Sequence, residues 1–246
     1  MSTYVLIHGA FHGGWCWDKV VPLLEAAGHK VVAPDLPSHG RDDTPIAEVT
    51  LDTYARRACE VAAAQSEPVI SEPVIIVGHS MGGRVITQAA EYCPDNIETL
   101  VYLTANLLPN GVYQPPVSPS RSAADRAASA TLSDDGVYRA ANLDMVGQVY
   151  YNDCSDEDVE RAKALLSNQA VIPSDTPMQT TDANFGRVPR VYIECLRDNA
   201  IPIDAQRSMY AAFPCKKVLT MDTSHSPFFS APEELAKHLL SFSGGL

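Results

Sequence analysis

Positive charge is scarce in this sequence: 18 Lys and Arg stand against 30 Asp and Glu, for a formal net charge of −12. No basic run exists to neutralise phosphates, which argues against nucleic acid or an anionic membrane surface as a partner. The acidity is read as serving solubility. No apolar run approaches the ~20 residues of a membrane span. The N-terminus enters a strand-like stretch almost at once, without a basic segment leading into an apolar one, so no signal peptide is expected. Cys-x-x-Cys spacing is missing too. Cys16, Cys59, Cys93, Cys154, Cys195 and Cys215 are scattered, and read as small buried hydrophobes in a reducing compartment rather than a disulfide framework. Metal-ligand spacing is also lacking. His8 and His12 stand in a glycine loop rather than on a helix, so neither a zinc pair nor a cofactor is expected. These absences describe a soluble cytoplasmic protein that acts on a small molecule.

A chain of 246 residues, 46% of them hydrophobic, suits one large domain or a domain with an inserted subdomain. It is organised around Val74-Ile75-Ile76-Val77-Gly78-His79-Ser80-Met81-Gly82-Gly83. Four apolar, mostly β-branched residues run into Gly-x-Ser-x-Gly, and a helix-compatible stretch, Arg84 to Tyr92, follows. Strand, sharp turn, helix is the context in which a serine becomes a nucleophile. Gly78 and Gly82 leave room for the turn, and Ser80 begins a helix whose free N–H groups favour developing negative charge.

Tyr4 to Ile7 is a short apolar strand, followed by His8-Gly9-Ala10-Phe11-His12-Gly13-Gly14-Trp15. Trp17 to Ala27 has helical spacing, Lys30 to Ala33 is the next strand, and Thr50 to Ala64 is a helix with Asp52 or Thr53 as N-cap. Ser66-Glu67-Pro68-Val69-Ile70 is repeated at once as Ser71-Glu72-Pro73-Val74-Ile75. Proline is disfavoured inside a central strand, so the second copy enters the elbow and the first is a surface loop. Thr99 to Thr104, Arg190 to Leu196 and Lys216 to Met221 are further strands, with helices over 202–213 and 232–242. Residues 106–188 carry prolines, Ala/Ser/Asp-rich stretches and helical segments near 121–130 and 155–168, without strand–helix alternation. They are read as a cap inserted between core segments 1–105 and 189–246. Strands alternating with helices predict an α/β fold with a mostly parallel, doubly wound sheet, whose ligands bind beyond the carboxyl ends of the strands.

Ser80, Asp198, His225 and the His8-to-Gly14 loop all fall just past strand ends. A serine hydroxyl needs a histidine base, and that histidine needs a carboxylate to fix its tautomer. Serine, acid, histidine is the chain order expected here. Among rivals, His79 is inside the elbow and cannot swing onto the adjacent serine, while His29, His39 and His238 are read as surface or turn residues. Asp222 is too near His225 along the chain, Glu194 lies within a strand, and Asp35 is read as a turn cap. Two backbone donors must hold the oxyanion: the N–H of Met81, and one from the first loop, for which Ala10 is chosen.

The His8–Trp15 segment, the Gly78–Gly83 segment and the Asp198 and His225 endings together resemble the α/β-hydrolase superfamily. The chain is most similar to the branch of plant methylesterases and hydroxynitrile lyases and their bacterial carboxylesterase relatives. The resemblance implies a triad of Ser80, His225 and Asp198 with Ala10 and Met81 as oxyanion donors, and is compatible with a homodimer. The lyases of that branch carry threonine where Gly9 stands and lysine where Ser226 stands. Ester hydrolysis is therefore the expected activity, on small to medium hydrophobic carboxylic esters. A hydroxynitrile lyase and a slow-turnover binding protein are the rivals. Phe11, Phe228 and Phe229 are named as pocket residues, with core packing an equal account of each.

Overall fold

The computed structural model describes residues 1–65, 74–116, 118–120 and 128–243. In its first half the chain forms β1 (Thr3–Ile7), α1 (Val21–Ala26), β2 (Lys30–Val32), α2 (Leu51–Ala64), β3 (Val74–His79), α3 (Gly82–Tyr92) and β4 (Ile97–Leu103). Then come β5 (Ala130–Leu132), β6 (Tyr138–Ala141), α4 (Val146–Tyr150), α5 (Asp156–Leu165), β7 (Gln169–Ala170) and α6 (Val171–Asp175). The chain ends with β8 (Arg190–Cys195), α7 (Ile203–Ala212), β9 (Lys217–Met221), α8 (Pro227–Ser230) and α9 (Pro232–Leu240).

The main sheet has the order β2-β1-β3-β4-β8-β9, and every pairing in it is parallel. Successive residues on its central strands feed opposite faces. Val5, Ile7, Val74 and Ile76 meet Tyr54 and Ala58 of α2 and Val85, Ile86 and Ala89 of α3. Tyr4, Leu6, Ile75 and Val77 meet Trp17, Leu24 of α1, and Leu235 and Leu239 of α9. This two-residue period explains why the strands are apolar throughout: both faces are covered. Each large side chain so buried contributes about 1.5–3 kcal/mol. The chain goes outward from β1 to β2 and returns to β3, so the direction of winding reverses between β1 and β3. Ligands of doubly wound sheets bind at that crevice.

The structure also corrects several local expectations. Helix α1 begins only at Val21, after a 3₁₀ turn over Gly14–Trp17, because Pro22 is tolerated in a first turn but not in a helix interior. The N-cap of α2 is Thr50, not Asp52 or Thr53: its hydroxyl accepts from Thr53 N–H while Thr53 Oγ1 accepts from Thr50 N–H. Between β4 and β8 lies a three-stranded antiparallel sheet, β5-β6-β7, that was not expected. Its strands are too short to show alternation. His39 is in a turn but buried, and His238 lies on α9. Cys59 and Cys93 are joined in a disulfide between α2 and the end of α3, whereas Cys16, Cys154, Cys195 and Cys215 are free thiols. The first Ser-Glu-Pro-Val-Ile copy lies outside the described residues; Val74 and Ile75 of the second open β3.

Candidate active site

The elbow is shaped by close backbone approach. A Cβ at Gly78 would lie 2.6 Å from the Gly82 carbonyl oxygen, and one at Gly82 would lie 2.7 Å from that of His8. Only glycine lets β1, β3 and α3 meet this closely. Ser80 stands between them at φ 53°, a left-handed conformation uncommon for a residue with a side chain. Its backbone is fixed on both sides: the N–H donates to Leu103 O, and the carbonyl accepts from Gly83 N–H and Asn106 N–H. Such strain persists where surrounding bonds over-determine it, as they do at functional sites.

Asp198 and His225 come together from the loops after β8 and β9. His225 Nδ1 is 2.6 Å from Asp198 Oδ2, and both side chains are buried. Asp198 Oδ2 also accepts from Thr104 Oγ1, and Oδ1 accepts from Ala200 N–H at 2.6 Å and Ile201 N–H at 2.8 Å. The carboxylate is thus fully paired without a cation, and its hold on Nδ1 leaves His225 Nε2 as the free nitrogen. Among the described residues no hydrogen bond joins Ser80 Oγ to His225. Such bonds are often long before substrate binds and tighten with it.

His79 lies directly beneath, with its ring centroid 4.6 Å from that of His225. Its Nε2–H donates to the His225 carbonyl at 2.8 Å. Burial, followed by the nearby His225 charge, holds the His79 pKa well below the ordinary imidazole value. His79 is therefore a neutral support for the backbone of His225.

Ala10 and Met81 approach the elbow from β1 and α3. Among the described residues, neither N–H donates to a protein acceptor, so both donors are free. Two buried histidines set the loop that carries Ala10. His8 Nε2 accepts from Leu36 N–H at 3.0 Å, so Nδ1 bears the proton and donates to Gly9 O at 2.8 Å. His12 Nδ1–H donates to Ala10 O at 2.7 Å. Burial drives both imidazoles below their ordinary value, His8 strongly and His12 to about 4.

Phe11 also has a left-handed backbone, φ 65°, and its ring is 6.3 Å from that of Tyr150, which in turn is 5.8 Å from His225. Phe228 and Phe229 are core residues: Phe228 packs on Trp17 and His79, Phe229 on Tyr151 and Trp15. The rivals are occupied elsewhere. Glu194 is buried on β8 against Arg207, Asp222 pairs with Arg197 at the surface, and Asp35 accepts from Gly14 N–H and Arg41 N–H. Sequence reasoning missed Thr104, read there as the last residue of a strand; β4 ends at Leu103, and Thr104 follows it beside the elbow. It also missed the structural roles of His8, His12 and His79. Among the described residues, no group of His, Cys, Asp and Glu could hold a metal ion.

A profile of the alpha/beta hydrolase family matches residues 4–238. Pyrethroid hydrolase of Sphingobium wenxiniae is 34% identical, over 99% of this chain and 88% of its own. Methylesterase 1 of Arabidopsis thaliana is 32% identical, over 98% of this chain and 95% of its own. The alpha-hydroxynitrile lyase of the same plant is 34% identical, over 94% and 93%. The crystal structure of a pyrethroid hydrolase from Sphingobium faniae JZ-2 superposes with a TM-score of 0.86 at 34% identity, covering 98% of this chain and 97% of that one.

Proposed function

Because the chain belongs to the alpha/beta hydrolase family, in a branch with bacterial pyrethroid hydrolase and plant methylesterases and hydroxynitrile lyases, we propose a catalytic course from its own residues. The protein is an ester-hydrolysing enzyme of the serine-hydrolase type. In our reading Ser80 Oγ attacks the ester carbonyl carbon as His225 Nε2 takes its proton. Asp198 holds Nδ1–H and offsets the imidazolium charge. The N–H groups of Ala10 and Met81 receive the oxyanion. Collapse of the tetrahedral intermediate breaks the bond to the alcohol oxygen, which leaves with the proton from His225. Water, deprotonated by His225, then attacks the acyl-Ser80 carbonyl and releases the carboxylic acid. The observation that carries this reading is the buried 2.6 Å pair of His225 and Asp198 beside a strained serine and two free backbone donors.

We take residues 106–188 as the cap and hydrophobic carboxylic esters of small to medium size as substrates. Phe11 is retained as a pocket wall, and Phe228 and Phe229 are assigned to packing. No helix among the described residues is long and apolar enough to cross a membrane. A cytoplasmic location rests on the free thiols, while the Cys59–Cys93 bond weighs against it; trapping thiols in intact cells decides between them. A homodimer is compatible with this reading, and light scattering reads it directly.

The second reading, C–C lyase chemistry, has a lyase of equal identity in its favour. The space beside Gly9 counts against it. A Cβ there would lie 2.8 Å from His79 Nδ1 and 2.9 Å from Ser80 Cβ, so a threonine at this position would have to displace the buried His79 ring. Aryl ester and cyanohydrin, assayed at matched concentrations with spontaneous decay subtracted, separate the two. Catalysed ester hydrolysis is expected to dominate, and faster cyanide release would overturn the reading.

A further inference from the structure

His12 connects two parts of the molecule that come from distant sequence. The Ala10 carbonyl can only accept, so the 2.7 Å contact fixes the His12 proton on Nδ1 and leaves Nε2 bare. The Tyr151 hydroxyl, 139 residues away, lies 2.5 Å from Nε2 and must be the donor. Tyr151 follows α4, in the segment between β4 and β8, and is fully buried. A phenylalanine ring would fill that space equally well. The bond to His12 gives the buried hydroxyl a partner that it needs, because an unpaired buried hydroxyl costs more than no hydroxyl.

The position of this chain of bonds gives it a consequence. The Ala10 N–H lies in the Gly9–Ala10 peptide plane with the Gly9 carbonyl, and that plane is coupled through the Ala10 torsions to the Ala10–Phe11 plane, which holds the Ala10 carbonyl. His8 holds one through Gly9 O, anchored from the core by Leu36 N–H. His12 holds the other through Ala10 O, anchored from the cap segment by Tyr151. A second bond from the same segment, Ser167 N–H to Phe11 O at 2.8 Å, steadies the strained residue between them. The loop is clamped between core and cap.

We propose that Tyr151 is a positioning residue for the oxyanion hole, holding His12, and through it the Ala10 carbonyl, in the orientation that aims the Ala10 N–H at the oxyanion. The proposal rests on the site reading above, and explains how a docked cap supports catalysis without touching substrate. Burial strengthens the arrangement: it raises the Tyr151 phenol well above its ordinary pKa and lowers that of His12, so donor and acceptor keep their roles near neutrality.

The test is Tyr151→Phe, measured with an aryl ester and with a boronic acid that forms a tetrahedral adduct on Ser80. A misaimed donor is felt by the tetrahedral species and not by the bound ester. kcat is expected to fall about tenfold with KM within about twofold, less than the ~10²–10³ seen when an oxyanion donor is removed outright. Boronate affinity should weaken by the same factor as kcat. In a His12→Asn background, where the amide still donates to Ala10 O but offers Tyr151 no ring nitrogen, Tyr151→Phe should add little. Should the single Phe variant prove unstable, His12→Asn measured alone, which also breaks the bond to Tyr151, should show the same paired loss of kcat and boronate affinity. Unchanged kcat and boronate affinity, a kcat loss without weaker boronate binding, or an equal loss in the His12→Asn background would each overturn the proposal. A wild-type enzyme that boronate does not inhibit would instead overturn the site reading itself.

Discussion

Acid should destabilise this protein through His12. Buried between Trp15, His79 and Phe228, the imidazole has a pKa lowered to about 4, against an ordinary 6.5 in the unfolded chain. Between those values the unfolded chain binds a proton that the fold refuses. The stability tied to neutral His12 is therefore complete above the unfolded value and is lost as pH falls toward about 4. At about 1.4 kcal/mol per pH unit, His12 alone accounts for about 2 kcal/mol between pH 7 and pH 5. His8 and His79, also held below their ordinary values by burial, act in the same direction. His12→Asn isolates the effect, since the amide can still donate to Ala10 O but does not titrate. In urea unfolding at pH 7, 6 and 5, wild type should lose about 2 kcal/mol more than the variant over the range. Parallel pH dependences would mean that His12 takes up its proton equally in the folded and the unfolded chain, and would refute the buried neutral imidazole on which its bond to Tyr151 depends.

Asp198→Asn would place an amide where His225 Nδ1–H and Thr104 Oγ1–H both need an acceptor. Loss of the correct tautomer should lower kcat by about 10³–10⁴-fold while thermal unfolding shows the fold intact; a loss under tenfold would remove Asp198 from the triad. Reducing the Cys59–Cys93 bond, or Cys59→Ser, opens a loop of 34 residues and should cost up to about 4 kcal/mol on the loop-entropy account. Identical urea midpoints with and without reductant would show that the bond does not form in solution.

The elbow was legible because its constraint is local. Gly78 and Gly82 are needed for a close approach between β1, β3 and α3, and that need is written within five residues of sequence. The parallel sheet followed from strands apolar on both faces, and Asp198 and His225 from their places just past strand ends. The supports of the site were not legible. Nothing in the spacing of His12 and Tyr151 announces a contact across 139 residues, and His79 gave no sign that its ring reaches the His225 backbone rather than its neighbour's hydroxyl. The Cys59–Cys93 bond escaped for the same reason. Its partners meet only because α2 packs against α3, with no motif joining them. The strands of the cap, three, four and two residues long, are too short for a period of two to emerge.

The central claim is that the ester is cleaved on Ser80. The direct measurement is rapid acid quench of the enzyme with a p-nitrophenyl ester, followed by mass spectrometry of the peptide that contains Gly78 to Gly83. The account predicts one acyl group per chain, carried on Ser80, formed and lost at rates consistent with turnover. Ser80→Ala should form none and lose nearly all activity. Turnover without an acyl group on that peptide, or a tenth or more of wild-type turnover in Ser80→Ala, would contradict it.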